Sequence, residues 1–351
     1  MTRPTATAIE GSCVWTGAAL ADDPRWRFAL SADDIAELDA ALAAVRQRGL
    51  PWREMVRADF PLDRLAAKLA ALAEELEDGA GLALLSGLPV DRYGDGLRHL
   101  WYGIGLHLGT PVYQDCDGLL MRDIRDEDQD TDALLGHQLT ARDGGTFQSS
   151  KARTLSNGQL RFHTDRCDVV ALLCLRQAAA GGISRVASSV TVHNAMLARH
   201  PELAGLLYQP IHRSRLGEER GGEKLHYPLP VFGRRDGRFT SHYSRTYVEA
   251  AQEMPGVPRM SDEQWRGLDC LHDLADEACL EFRLRPGDMQ FVNNHVIYHA
   301  RTAYRDAAEA GGRLLHRLWL SMPNSRALPP DQAVLWGNVG AGQLRGGIGQ
   351  D

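Results

Sequence analysis

The sequence predicts an α+β fold: a double-stranded β-helix, or jelly roll, wrapped by helices. Short apolar runs bracketed by Gly and Pro alternate with longer stretches whose apolar residues recur at helical spacing. No internal repeat or low-complexity block interrupts them. At 351 residues the chain can bury a large core, and 44% hydrophobic with 24% charged residues is ordinary for a globular protein. The net charge of −7, from 39 basic and 46 acidic residues, argues against nucleic acid or an anionic membrane as a general partner. No apolar run is long enough to span a bilayer, and Met1-Thr-Arg-Pro-Thr5 lacks the apolar core of a signal peptide. Six cysteines without Cys-x-x-Cys spacing suit reduced thiols, so a cytoplasmic protein is expected.

In chain order, residues 1–25 are small, polar and irregular, an expected loosely packed arm, and residues 26–351 read as one domain. Ser31 caps a helix with Asp33 and Asp34 at its positive end; Ile35, Leu38, Leu42 and Val45 form its stripe, closed by Gly49. A second helix follows Pro61 with Leu62, Leu65, Leu69, Leu72 and Leu76 on one face. Leu82 to Ser86 reads as a buried strand, and Leu97 to Leu108 as a helix. Val169 to Leu175 is continuously apolar, as a strand covered on both faces is. The charged, Gly-containing stretch near 213–225 is expected to be a loop, and a lid over a site. Ser261 and Gln264 form a capping box before a helix that turns Trp265, Leu268 and Leu271 inward.

The chemistry concentrates in three runs. In Leu160-Arg-Phe-His-Thr-Asp165, strand alternation points His163 and Asp165 the same way. An imidazole beside a carboxylate is two thirds of a 2-His-1-carboxylate facial site, the arrangement of non-haem Fe(II) oxygenases. Far along the chain, Arg285 to Thr302 supplies two histidines, His295 and His299, either of which could complete it. Beyond them, Arg313, Leu315, Arg317 and Trp319 share one face of an apolar strand. Guanidinium groups are costly to bury without an anion, and their planar fork suits a carboxylate. By parity Cys167 shares the face of His163 and Asp165; it reads as a small apolar neighbour rather than a ligand.

The order His163-x-Asp165, Gly181-Gly182, Pro286-Gly287-Asp288, Asn294…His299-x-Arg301-Thr302, Arg313…Arg317 resembles the taurine dioxygenase/2,4-dichlorophenoxyacetate dioxygenase family. These are Fe(II)- and 2-oxoglutarate-dependent oxygenases, similar also to clavaminate synthase and gamma-butyrobetaine hydroxylase. The resemblance runs from the Gly81–Val90 segment to Pro323. It implies a clavaminate synthase-like jelly roll with His163, Asp165 and His299 as iron ligands. His299 is preferred to His295 because it stands in the family-like His-x-Arg-Thr context. Arg313 matches the arginine that grips the distal carboxylate of 2-oxoglutarate. Arg317 matches a second arginine near the co-substrate or the primary substrate. Ser184 falls near a threonine that touches the same carboxylate, although Gly-Gly-Ile-Ser stands here in place of Gly-Gly-Asp-Thr.

In such enzymes Fe(II) binds 2-oxoglutarate and O2, and oxidative decarboxylation to succinate and CO2 drives oxidation of a C–H bond. No side-chain nucleophile or acid/base triad is expected, and Asp165 argues against halogenation. Hydroxylation is the default outcome. Desaturation, ring closure or another oxidation at the same centre is the alternative, and a non-catalytic jelly-roll binding module is a second. For the primary substrate, Gln114 borders the pocket segment of relatives. Phe239 to Tyr247 resembles their substrate-facing strand, which would set Tyr243, Arg245 and Tyr247 on one face. Arginines and tyrosines there favour a small polar or carboxylate-bearing molecule. Relatives of this kind often form homo-oligomers, so one is expected here.

Overall fold

The computed structural model describes residues 7–127, 155–215, 218, 223–307 and 311–349. Ser31 opens the first long helix, Ala32–Gln47, with a full capping box: its hydroxyl takes the Asp34 N–H while the Asp34 carboxylate takes its own. Leu38, Leu42 and Val45 are buried beneath it. The helices Leu65–Glu77 and Leu97–Leu108 also lie where the periodicity placed them. Leu65, Leu69, Leu72 and Leu76 are almost fully covered, each worth about 2 kcal/mol of burial. These three helices cover the outer face of the larger sheet, packing on Leu85, Phe291, Leu173 and Leu318.

That sheet has seven strands. Arg27–Ala29 runs parallel to Leu82–Ser86; Met289–Asn293, Val169–Arg176 and Leu314–Ser321 follow antiparallel, and Thr110–Pro111 and Met121–Ile124 both pair with the last. The smaller sheet orders Leu280–Phe282, Ser184–Ser188, Ile297–Arg301 and Leu160–His163, all antiparallel. Helices Ser189–Arg199, Pro201–Leu206 and Asp262–Ala278 pack with it in a second core containing Val186, Ile297, Leu268 and Leu271. The two sheets facing each other, with helices outside, form the expected jelly roll.

Four local readings differ from the structure. The described part of the arm, from Thr7, is tied down: Trp15 is buried and donates to the Ala80 carbonyl, and Asn194 pairs with both backbone groups of Ile9. Asp262–Ala278 is the expected helix, but Trp265 is only half-buried, beside Arg245. The Phe239–Tyr247 strand ends early. Arg238–Ser241 is a strand, yet Arg245–Gln252 is a helix, because an Arg245–Glu249 pair and Val248, Ala250 and Ala251 follow at helical spacing. Of the stretch near 213–225, Arg213 and Ser214 end the Ile211–Ser214 strand and are buried, while 216–217 and 219–222 lie outside the described residues.

Candidate metal centre

Between the sheets, three donors converge. The Leu160–His163 strand ends at His163, paired across the ladder with His299, and a bulge interrupts the pairing before Arg301. The two imidazole rings lie 4.2 Å apart. Asp165 stands just past the strand end, where Asn294 fixes the turn. Asn294 Oδ1 takes the Asp165 N–H at 2.9 Å, and its amide donates to the Cys167 carbonyl at 2.9 Å. Asp165 Oδ1 is 3.7 Å from His163 Nε2, and its Oδ2 is 3.9 Å from His299 Nε2. No other group of three metal-ligating side chains forms among the described residues.

These residues fit a divalent transition ion. Metal–ligand bonds of about 2.1 Å span such separations. His163 Nδ1–H donates to the Arg161 carbonyl at 2.8 Å, which leaves the Nε2 lone pair for the metal. Burial, then His163, push His299 down to about 3, so its ring is neutral and able to ligate. Burial alone raises Asp165, but the Arg317 guanidinium and the Trp319 N–H outweigh it and hold the carboxylate below its ordinary value. Three protein donors on one side leave the cavity side open, as an oxygenase needs and a structural zinc site does not.

His295 is committed elsewhere. It is buried with Nε2 2.7 Å from Asp168 Oδ1, and Thr240 Oγ1 meets its Nδ1 at 3.1 Å. Asp168 also accepts from Arg345 Nε and the Met322 N–H, which pins the C-terminal segment beside the site.

The donors open onto a cavity between the two sheets. Gln290, Arg313, Leu315 and Arg317 line it from the larger sheet; Ser184 and Arg301 line it from the smaller. Arg313 and Arg317 thus share a face, as strand alternation requires. Arg317 Nη1 is 3.5 Å from Asp165 Oδ2, and Trp319 Nε1 donates to the same oxygen at 2.9 Å. Arg313 is 4% exposed, Nε meets Gln177 Oε1 at 3.2 Å, and Nη1 has no partner among the described residues. A buried guanidinium that lines the cavity with Nη1 unpartnered fits a carboxylate. Gly182, at φ +67°, lies against it: a Cβ there would come within 3.2 Å of Arg313 Nε. Ser184 Oγ donates to Gln290 Oε1 at 2.5 Å.

The substrate candidates lie elsewhere. Gln114 is buried behind Arg317, taking its Nε–H at 2.7 Å and donating to its carbonyl at 2.9 Å, so it holds that arginine in place. Tyr243 is buried against Tyr298 and braces Thr164 through its backbone. Arg245 pairs with Glu249 and Asp269 and does not line the cavity. Asn294 and Trp319 carried no assigned role in the sequence. Their signals were Asn294 in the turn before His299 and Trp319 one alternation beyond Arg317.

Residues 46–319 match the model of the taurine catabolism dioxygenase TauD, TfdA family. FR-33289 synthase of Streptomyces rubellomurinus is 32% identical, over 94% of this chain and 95% of its own length. The taurine hydroxylase-like protein SAT17 of Stachybotrys chartarum is 26% identical, over 86% of this chain and 76% of its own. The fold is shared with an asparagine oxygenase in complex with Fe(II), 2S,3S-3-hydroxyasparagine and succinate: TM-score 0.63, 17% identity, 91% of this chain and all (100%) of the other. The non-haem iron oxygenase OrfP in complex with Fe and alpha-ketoglutaric acid matches at TM-score 0.57 and 18% identity, over 84% of this chain and 93% of its own. A facial donor set facing a buried arginine, a jelly roll and this run of matches agree: the chain belongs to the TauD/TfdA family and is an Fe(II)- and 2-oxoglutarate-dependent oxygenase.

Proposed function

We propose that His163, Asp165 and His299 hold Fe(II), that Arg313 with Ser184 seats the distal carboxylate of 2-oxoglutarate, and that the enzyme hydroxylates a small polar or carboxylate-bearing molecule. One observation carries the assignment: the donor triad and the buried Arg313 guanidinium, with its Nη1 unpartnered among the described residues, line a single cavity. When bound, the iron supplies O2 activation coupled to decarboxylation of 2-oxoglutarate to succinate. The chain supplies orientation and a dry site. Trp319 and Arg317 fix the Asp165 carboxylate, Gln114 fixes Arg317, and Ile124, Leu172 and Leu315 keep the cavity walls apolar.

Hydroxylation of a small polar substrate is supported by the hydroxylated amino acids held in the asparagine oxygenase and OrfP structures. Arg317 is the candidate for an anionic end of that substrate, since it lines the cavity beside the metal donors. The six unpaired cysteines support a reducing, cytoplasmic setting. Incubating the protein with Fe(II), ascorbate and 2-oxoglutarate in air and quantifying succinate tests the reading. Wild type releases succinate, stimulated by the substrate among amino acids and other small acids, and Arg313→Ala loses it. Succinate formation equal in Arg313→Ala contradicts the assignment, and an unsaturated or cyclised product replaces hydroxylation.

A further inference from the structure

Arg301 lies two residues past His299 on the same strand and lines the same cavity as Arg313. It is 5% exposed. Its Nη2 donates to the Ser156 carbonyl at 2.9 Å and to the Gly158 carbonyl. Its Nε and Nη1 are buried with no partner among the described residues, the condition of Arg313 Nη1 as well. Both guanidinium groups lean on one ring, with the Arg301 Cζ 4.7 Å and the Arg313 Cζ 5.2 Å from the centroid of Tyr304. Tyr304 is itself fixed by pairing with Gly181, where a Cβ would collide with the Ala303 carbonyl at 2.0 Å.

Burial pushes Arg313 down from the usual guanidinium value. Arg317 has Asp165 beside it, whereas Arg301 Nε, Arg301 Nη1 and Arg313 Nη1 meet no hydrogen-bond acceptor among the described residues. Two buried cations sharing one cavity are costly until an anion lies between them. A purely structural Arg301 needs only the two carbonyl bonds of Nη2; Nε and Nη1 would then be buried for nothing. A carboxylate offers two oxygens and about four lone-pair sites, enough for two guanidinium forks.

We propose that Arg301 is a second co-substrate-binding residue, which with Arg313 brackets the distal carboxylate of the 2-oxo acid beside the Tyr304 ring. This rests on the 2-oxoglutarate reading above. It makes the terminal carboxylate a main source of affinity for the 2-oxo acid, so that an acid lacking it binds more weakly.

The test is anaerobic calorimetry on the Fe(II)-loaded full chain, titrating 2-oxoglutarate and, separately, 2-oxobutyrate, which has the same oxo-acid head and no distal carboxylate. In Arg301→Gln, 2-oxoglutarate affinity falls on the order of 100-fold, 2-oxobutyrate affinity is unchanged, and Arg301→Lys recovers part of the loss. Equal losses for both acids would show a structural role and overturn the proposal. So would unchanged 2-oxoglutarate binding in Arg301→Gln while Arg313→Gln loses it. Failure of the wild type to bind 2-oxoglutarate at all, with Arg313→Gln indistinguishable from it, brings down the underlying reading instead.

Discussion

Trp319 Nε1 donates to Asp165 Oδ2 at 2.9 Å while Arg317 Nη1 stands 3.5 Å from the same oxygen, so the shorter contact does more to aim the carboxylate. Trp319→Phe keeps a ring in place and removes only the donor. Fe(II) affinity is expected to fall about tenfold, with the unfolding midpoint of the metal-free protein nearly unchanged. Metal titration checks this, and undiminished affinity would show that Arg317 alone orients Asp165. His163 with Asp165, and Arg313 with Arg317, were legible in the sequence because strand alternation fixes which side chains share a face, and His299 from its family-like His-x-Arg-Thr context. The residues that brace them were not, since Gln114–Arg317 and Asn294–Asp165 join segments that only the folded chain brings together.

At the scale of elements, helix Asp262–Ala278 backs the metal-bearing strand. Leu268 and Leu271 sink into the core, and His272 meets Phe162, the neighbour of His163, at 5.9 Å. Its start is set by the Ser261 hydroxyl taking the Gln264 N–H and the Gln264 side chain taking the Ser261 N–H. Ser261→Ala should lower stability by about 1 kcal/mol in denaturant unfolding and leave Fe(II) affinity intact; a loss of metal binding without a loss of stability would tie this helix to the site more directly. This helix was legible from its capping box and stripe. The helix Arg245–Gln252 was not, because Tyr243, Arg245 and Tyr247 alternate convincingly over five residues. The longer i, i+4 pattern running on to Gln252 decides the matter. That misreading also placed Arg245 at the substrate, whereas it closes an ion pair with Glu249.

For the whole molecule, the fold gathers neutral histidines into its interior and becomes sensitive to acid. His295, facing Asp168, Arg345 and, farther off, Arg326, is lowered to about 4, chiefly by burial. The unfolded chain binds a proton there near 6.5 and the folded chain does not, so stability is full above that pH and declines as pH falls towards 4. At pH 5 the contribution lost is on the order of 2 kcal/mol. The stability gap between wild type and His295→Asn, measured by denaturant unfolding, should therefore narrow by about that amount from pH 7 to pH 5; a constant gap contradicts a neutral His295. His295, committed to Asp168, stands apart from the donor group of His163, Asp165 and His299, the histidine that the family-like context preferred. The most direct measurement is anaerobic Fe(II) titration of wild type, His299→Ala and His295→Ala at neutral pH, with 2-oxoglutarate present. Stoichiometric binding in wild type and His295→Ala, lost in His299→Ala, is the predicted result. Retention in His299→Ala, or no binding by the wild type, would contradict the metal centre on which the account rests.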